Sequence, residues 1–139
     1  MFSGMTNNSV DSKGRIILPA KFREELGESF YITGGFEDCL QVFSEEQFEN
    51  YSAQIEQMPG DVAASMQYIL IAPATLVTPN AQGRIQIPQA LREQTEIDKN
   101  VVVLGMGSRI EIWDSEKFRE FYQRQKKEVA KPNLKYIKL

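Results

Sequence analysis

The segment Asp11-Ser12-Lys13-Gly14-Arg15-Ile16-Ile17-Leu18-Pro19 returns, 69 positions on, as Asn80-Ala81-Gln82-Gly83-Arg84-Ile85-Gln86-Ile87-Pro88. This register carries Gly14 onto Gly83, Arg15 onto Arg84, Ile16 onto Ile85, Pro19 onto Pro88, Phe22 onto Leu91 and Arg23 onto Arg92. After one inserted residue the echo continues. Leu40-Gln41-Val42-Phe43-Ser44 meets Ile110-Glu111-Ile112-Trp113-Asp114, and Phe48 and Tyr51 meet Phe118 and Phe121. A repeat sustained over this length divides the chain into two related halves. At 139 residues they are expected to share one compact unit.

Each half reads as a mixture of strands and short helices. The residues before Asp11 and the run Ile16-Ile17-Leu18 are expected as two strands forming a hairpin around the Asp-x-x-Gly-Arg loop, because Gly tolerates positive φ and Asp accepts turn N–H groups. Pro19 suits the first turn of a short helix with Phe22 and Leu26 on its apolar face and Gly27 at its end. Tyr31-Ile32-Thr33 and Leu40-Gln41-Val42-Phe43 are strands around Gly34-Gly35. Ser44-Glu45-Glu46-Gln47 opens a helix as a capping box, and Pro59-Gly60 ends it. The second half repeats the plan with strands at Thr75–Thr78, Ile85–Ile87, Val101–Leu104 and Arg109–Trp113. Asp114 caps a longer helix whose face is Phe118, Phe121, Tyr122, Gln125 and Val129. The expected divisions are 1–58, a linking helix segment 59–73 with its helix over Val62 to Leu70, 74–130, and a loose tail 131–139 in which Tyr136 and Ile137 dock on a neighbouring subunit.

The absence of histidine removes Ser-His-Asp triads, Cys-His dyads and histidine metal sites. Carboxylate chemistry stays open to an enzyme, but no spacing picks out a converging pair, and neither a metal nor a cofactor is expected. No apolar run has the length of a membrane span. The start of the chain lacks a secretory pattern, and the lone Cys39 fits a reducing compartment, so a cytoplasmic protein is expected. Net charge is −3, yet it is segregated: from Glu24 through Gly83 there is no Lys or Arg, whereas the stretch from Arg119 to Lys138 carries seven basic residues against Glu120 and Glu128. That basic stretch either binds phosphate or meets the acidic middle of an adjacent subunit, and the subunit contact is the favoured reading.

With Asp11-x-x-Gly14-Arg15, Pro19 and Arg23, their partial copy from Asn80 to Arg92, and the strand-to-helix segment Ile110–Asp114, the sequence resembles the MraZ family over essentially its full length. The resemblance implies an α+β fold. In it, two tandem swapped-hairpin AbrB-like repeats form one pseudo-twofold β-barrel with peripheral helices, and the chains assemble into ring-shaped homo-oligomers. It also implies binding to short direct repeats in the promoter of the division and cell-wall gene cluster as a nucleoid-associated repressor.

The residues of the motif support a DNA-binding reading on their own chemistry. A turn projecting Lys13 and Arg15 offers a platform for guanine O6 and N7 and for phosphates. Arg15 alternatively pairs with Asp11 and only fixes the turn, and Arg84 stands under the same choice. Asp11, Gly14, Asn80 and Gly83 are read as structural members of the two loops. Lys21, Arg23 and Arg92 are candidate phosphate contacts or a solvated helix face. In the second loop Asn80 replaces the Asp, and Gln82 stands where Lys13 stands in the first, so its expected DNA contact is weaker. Double-stranded DNA and other copies of the chain are the expected partners. The competing expectation is an oligomeric protein-interaction ring without direct DNA readout.

Overall fold

The computed structural model describes residues 1–138. Eight strands are distributed over two sheets. A six-stranded sheet is built from β1 (Met5–Ser9), β3 (Phe30–Thr33), β4 (Leu40–Ser44), β5 (Thr75–Val77), β7 (Asn100–Gly105) and β8 (Ile110–Asp114), in the order β1-β7-β8-β4-β3-β5. The other two strands, β2 (Arg15–Ile17) and β6 (Arg84–Gln86), form a separate ribbon. Every pairing is antiparallel. The fold is therefore α+β as expected, and the large sheet ends on β1 at one side and β5 at the other.

The expected hairpins around the two glycine–arginine loops are absent. β1 and β2 leave the first loop in different directions, β1 to pair with β7 and β2 with β6. In the same way β5 pairs with β3 and β6 with β2. The initial strand of each half thus completes the sheet of the other half, and two pairs of equivalent residues mark the pseudo-twofold axis. Ile16 faces Ile85 at the middle of the ribbon, and Gln41 faces Glu111 at the middle of the β4–β8 pair. The apolar pair enters the main core. The polar pair lies under the helices, where Glu111 accepts from Arg109 Nη2 at 2.9 Å and Trp113 Nε1 at 2.9 Å.

Alternation along the strands decides the core. Leu40, Val42, Ile110 and Ile112 point inward with Ile16, Leu18, Phe22, Phe30, Ile32, Ile85, Ile87, Leu91, Val101 and Val103 into one buried cluster shared by both halves. On the opposite sheet face Phe43 packs against Phe48 and Tyr51 of α2 (Glu45–Glu56), and Trp113 packs against Phe118 and Phe121 of α5 (Ser115–Arg124). Both helices start from side-chain caps: Ser44 Oγ accepts from the Gln47 N–H at 3.2 Å and Asp114 Oδ2 from the Lys117 N–H at 3.3 Å. Such caps contribute about 1 kcal/mol each.

The shorter helices are α1 (Ala20–Leu26), α3 (Gly60–Met66) and α4 (Gln89–Gln94). Pro19, Pro59 and Pro88 stand at their N-caps, so Pro59 opens α3 after α2 has ended at Glu56. The linker helix begins two residues before its expected start and finishes as a π-helical turn, Gln67–Ile71. Beyond α5 the chain also stays helical, through a π segment Gln125–Ala130 and a 3-10 segment Lys131–Tyr136, rather than becoming the expected loose tail. Pro132 does not stop it because Pro132 falls at the start of the 3-10 turns, where a missing N–H costs nothing. Leu139 lies outside the described residues. Only the first part of the aromatic stripe on this arm is covered: Tyr122 and Val129 are exposed, as are Leu134, Tyr136 and Ile137.

Candidate nucleic-acid interface

The two loops share one backbone design. In the first, the Asp11 carboxylate accepts from the backbone N–H groups of Lys13 and Arg15, both at 2.9 Å, while the Asp11 carbonyl accepts from the Gly14 N–H at 3.0 Å. In the second, the Asn80 side-chain oxygen accepts from the Gln82 N–H at 3.0 Å and the Arg84 N–H at 2.9 Å, and the Asn80 carbonyl accepts from the Gly83 N–H at 2.9 Å. Gly14 and Gly83 take φ of 79° and 80°, a left-handed conformation that costs other residues about 1–2 kcal/mol. Asp and Asn are interchangeable as acceptors here, which is why the backbone survives the substitution.

The side chains differ. Arg15 Nε donates to Asp11 Oδ2 at 2.8 Å, a half-exposed ion pair that aims the guanidinium. The Arg15 backbone N–H above all, then its guanidinium and the Lys13 N–H, hold the Asp11 carboxyl below its ordinary pKa against an opposing desolvation. Arg84, beside a neutral Asn80, makes no ion pair with any described residue. The turn-fixing pair foreseen for Arg15 is therefore present, and Arg84 has no equivalent.

Helix arginines complete each loop from the other half. Arg92 of α4 covers Gly14, with Nη1 2.8 Å from where a Cβ would stand, and Arg23 of α1 covers Gly83 at 3.0 Å. Arg23 is held there by donating its Nε to the Leu18 carbonyl at 3.1 Å. Spacing along one chain carries no trace of this exchange, and the sequence offered Arg23 and Arg92 only as phosphate contacts or a solvated helix face. Lys13 and Gln82 are exposed at the two tips. Lys21 does not join them: its Nζ lies 5.4 Å from the Phe22 ring centre and against Gly4. An open groove of about 540 Å³ beside the first loop gathers Lys13, Gln86 and Arg92 together with Glu93 and Glu96, so its charge is mixed.

The antiparallel ribbon carries the two loops at its opposite ends. Arg15 lies opposite Gln86, and Ile17 opposite Arg84. Because cross-strand partners share a face and alternate residues repeat it, these four side chains occupy one face, while Ile16 and Ile85 fill the other at 1% and 2% exposure. Arg15 and Arg84 stand diagonally, about 7–8 Å apart at their Cα atoms. The sequence reading missed Ile17 and Gln86 as surface residues. Ile16-Ile17-Leu18 is apolar throughout and shows no inward and outward side, whereas the alternation of Ile85-Gln86-Ile87 carries the signal that the middle residue faces outward.

Two strand-exchanged repeats, with paired glycine–arginine loops on a two-stranded ribbon, define a two-repeat β-ribbon protein of internal pseudo-twofold symmetry. Comparison with known families agrees with that division. A family model described as "MraZ protein, putative antitoxin-like" matches the chain twice, over residues 1–67 and 70–136. Curated relatives named transcriptional regulator MraZ include one from Acetivibrio thermocellus, 42% identical over 124 residues that cover 87% of this chain and 86% of the relative. Another, from Leifsonia xyli subsp. xyli, is 39% identical over 132 residues covering 94% and 92%, and one from Micrococcus luteus is 40% identical over 127 residues covering 90% and 89%. The chain belongs to the MraZ family.

Proposed function

We propose that this chain is a sequence-specific DNA-binding regulator of transcription, with the β2–β6 ribbon and its two flanking loops as the contact surface. The observation that carries this reading is the single ribbon face holding Arg15, Arg84 and Gln86 over a buried Ile16–Ile85 base. A two-stranded ribbon fits the DNA major groove. Arginine matches guanine O6 and N7, while we read Lys13, Arg23 and Arg92 as phosphate contacts. The names of the curated relatives support the reading. The promoter of the division and cell-wall gene cluster is the expected target, bound at short direct repeats and repressed. We read the protein as a binder rather than an enzyme. Burial first, then the nearby Glu111 carboxylate, pushes the Cys39 thiol up and keeps it un-ionised, and no histidine is present.

Self-assembly into a ring belongs to the same reading. The α2 helix of the first half carries Glu45, Glu46, Glu49 and Glu56 with no basic residue, while α5 and the arm after it are basic and expose unpartnered apolar side chains. Two pseudo-equivalent helices of opposite charge favour head-to-tail contact between copies, the heterologous arrangement that closes into rings. The ring then holds many loops near consecutive DNA repeats at high effective concentration. The deciding experiment titrates the protein against duplex DNA from upstream of its own gene and against a scrambled duplex at several salt concentrations. The expected result is tighter, salt-dependent binding to the first, with affinity rising steeply as recognition repeats are added. Equal, salt-indifferent binding, or none, favours a protein-interaction ring.

A further inference from the structure

We propose that Ile17 is a specificity-determining residue that takes a thymine 5-methyl group in the major groove, next to the base pair met by Arg84. The inference rests on the DNA-binding reading of the ribbon and adds a reader that the arginines do not supply. Ile17 is 40% exposed on a face otherwise made of Arg15, Arg84 and Gln86, one residue from Ile16 at 1%. Its carbonyl accepts from Asn8 Nδ2 at 3.2 Å, which ties this end of the ribbon to β1. Its Cγ2 lies 3.9 Å from where a Cβ on Gly83 would stand, so the side chain packs along the root of the second loop and is held at the same height as Arg84 opposite. β-Branching leaves it few χ1 states to lose on binding.

The pseudo-equivalent position shows why the assignment falls on Ile17. Gln86 is also exposed, but its Nε2 is turned into the first loop. It donates to the Lys13 carbonyl at 2.8 Å and also lies 3.4 Å from the Gly14 carbonyl and 3.3 Å from that of Ile87. An adenine contact needs that amide to donate to N7. Gln86 is committed to holding the loop, whereas Ile17 has no polar group to satisfy and presents methyl groups outward. In the major groove the thymine C5-methyl is the apolar mark that such a residue recognises.

The test uses a duplex selected by the wild-type protein from a random-sequence pool, with each thymine replaced in turn by deoxyuridine, which removes the methyl group alone. Wild-type binding should fall about fourfold at one position, the effect of losing one buried methyl. Ile17→Ala should bind the thymine and uracil duplexes equally, and Ile17→Val should keep part of the discrimination. Ile17→Ser gives the same readout if the alanine variant fails to fold. If Ile17→Ala retains the wild-type uracil penalty, or if no thymine is sensitive in a duplex that binds specifically, the assignment to Ile17 falls while DNA binding stands. If no duplex is selected from the pool, both readings fall.

Discussion

The two glycine–arginine loops have the same turn, the same hydrogen-bond pattern and glycine φ values one degree apart, yet they are supported differently. The first is anchored by an ion pair within the loop and by the Gln86 amide from the other half. The second rests on a neutral Asn80 and on the apolar Ile17. The comparison separates two requirements that one motif combines. Shape needs only an acceptor at the first position and a glycine at the fourth. Holding the guanidinium in an ion pair within the loop takes a carboxylate, which only the first loop has. The loops are therefore equal as structure and unequal as chemistry.

The largest difference should appear in DNA binding. Arg15→Ala is expected to weaken specific affinity by about 1–3 kcal/mol, the contribution of a good arginine–guanine contact, and Arg84→Ala by less. Titration of both variants against cognate and scrambled duplexes measures this. An Arg84→Ala loss equal to or above that of Arg15→Ala in folded protein would make the loops chemical equals. Next come the glycines. Alanine at either position meets the left-handed penalty of about 1–2 kcal/mol. Gly14→Ala should be the more destabilising in thermal melts, because its Cβ would stand 2.8 Å from Arg92 and 3.0 Å from Gln86, whereas at Gly83 only Arg23 stands as near as 3.0 Å. Removing the brace itself, Gln86→Ala, should cost about 0.5–1.5 kcal/mol and faster amide exchange confined to the first loop; exchange unchanged there would show that Asp11 suffices.

The smallest effect is a pH dependence confined to the first loop. The Asp11 carboxyl is held below its ordinary pKa in the folded protein, so its contribution is complete above the usual Asp value of about 3.9 and is lost as pH falls through the depressed value. Asn80 has no such titration. The stability gap between wild type and Asp11→Asn should be present at neutral pH and close in the acid range. A gap that persists below the depressed pKa would mean that the carboxylate acts through geometry alone.

Much of this was legible along the chain. The repeat register located both loops, both glycines and both capped helices, because turn and cap chemistry is local. What sequence spacing could not carry was pairing between halves. The strands flanking each loop had the pattern of a hairpin, and the choice of β7 over β2 as the partner of β1 is made by the shared core. That exchange relocates Arg23 and Arg92 to the opposite loops and brings Ile17 to Arg84. The helical continuation past Pro132 was missed for another reason: proline stops an α-helix by clash and a lost N–H, and at the start of a 3-10 turn neither applies.

The exchange of initial strands also sets an order of events during synthesis. Met5 finds its place beside Leu104, so at about 5–20 residues per second β1 waits roughly 5–20 s for a partner to emerge. Until residues 75–86 follow, the first half also lacks its outer strand β5 and the ribbon mate β6. It is a half-built sheet in search of a complement, and a second nascent chain could supply one as well as its own downstream half. The peptide linking the halves decides that competition: it makes closure a first-order step, independent of how many neighbouring chains are being made, where two separate half-length chains would have to find each other by collision.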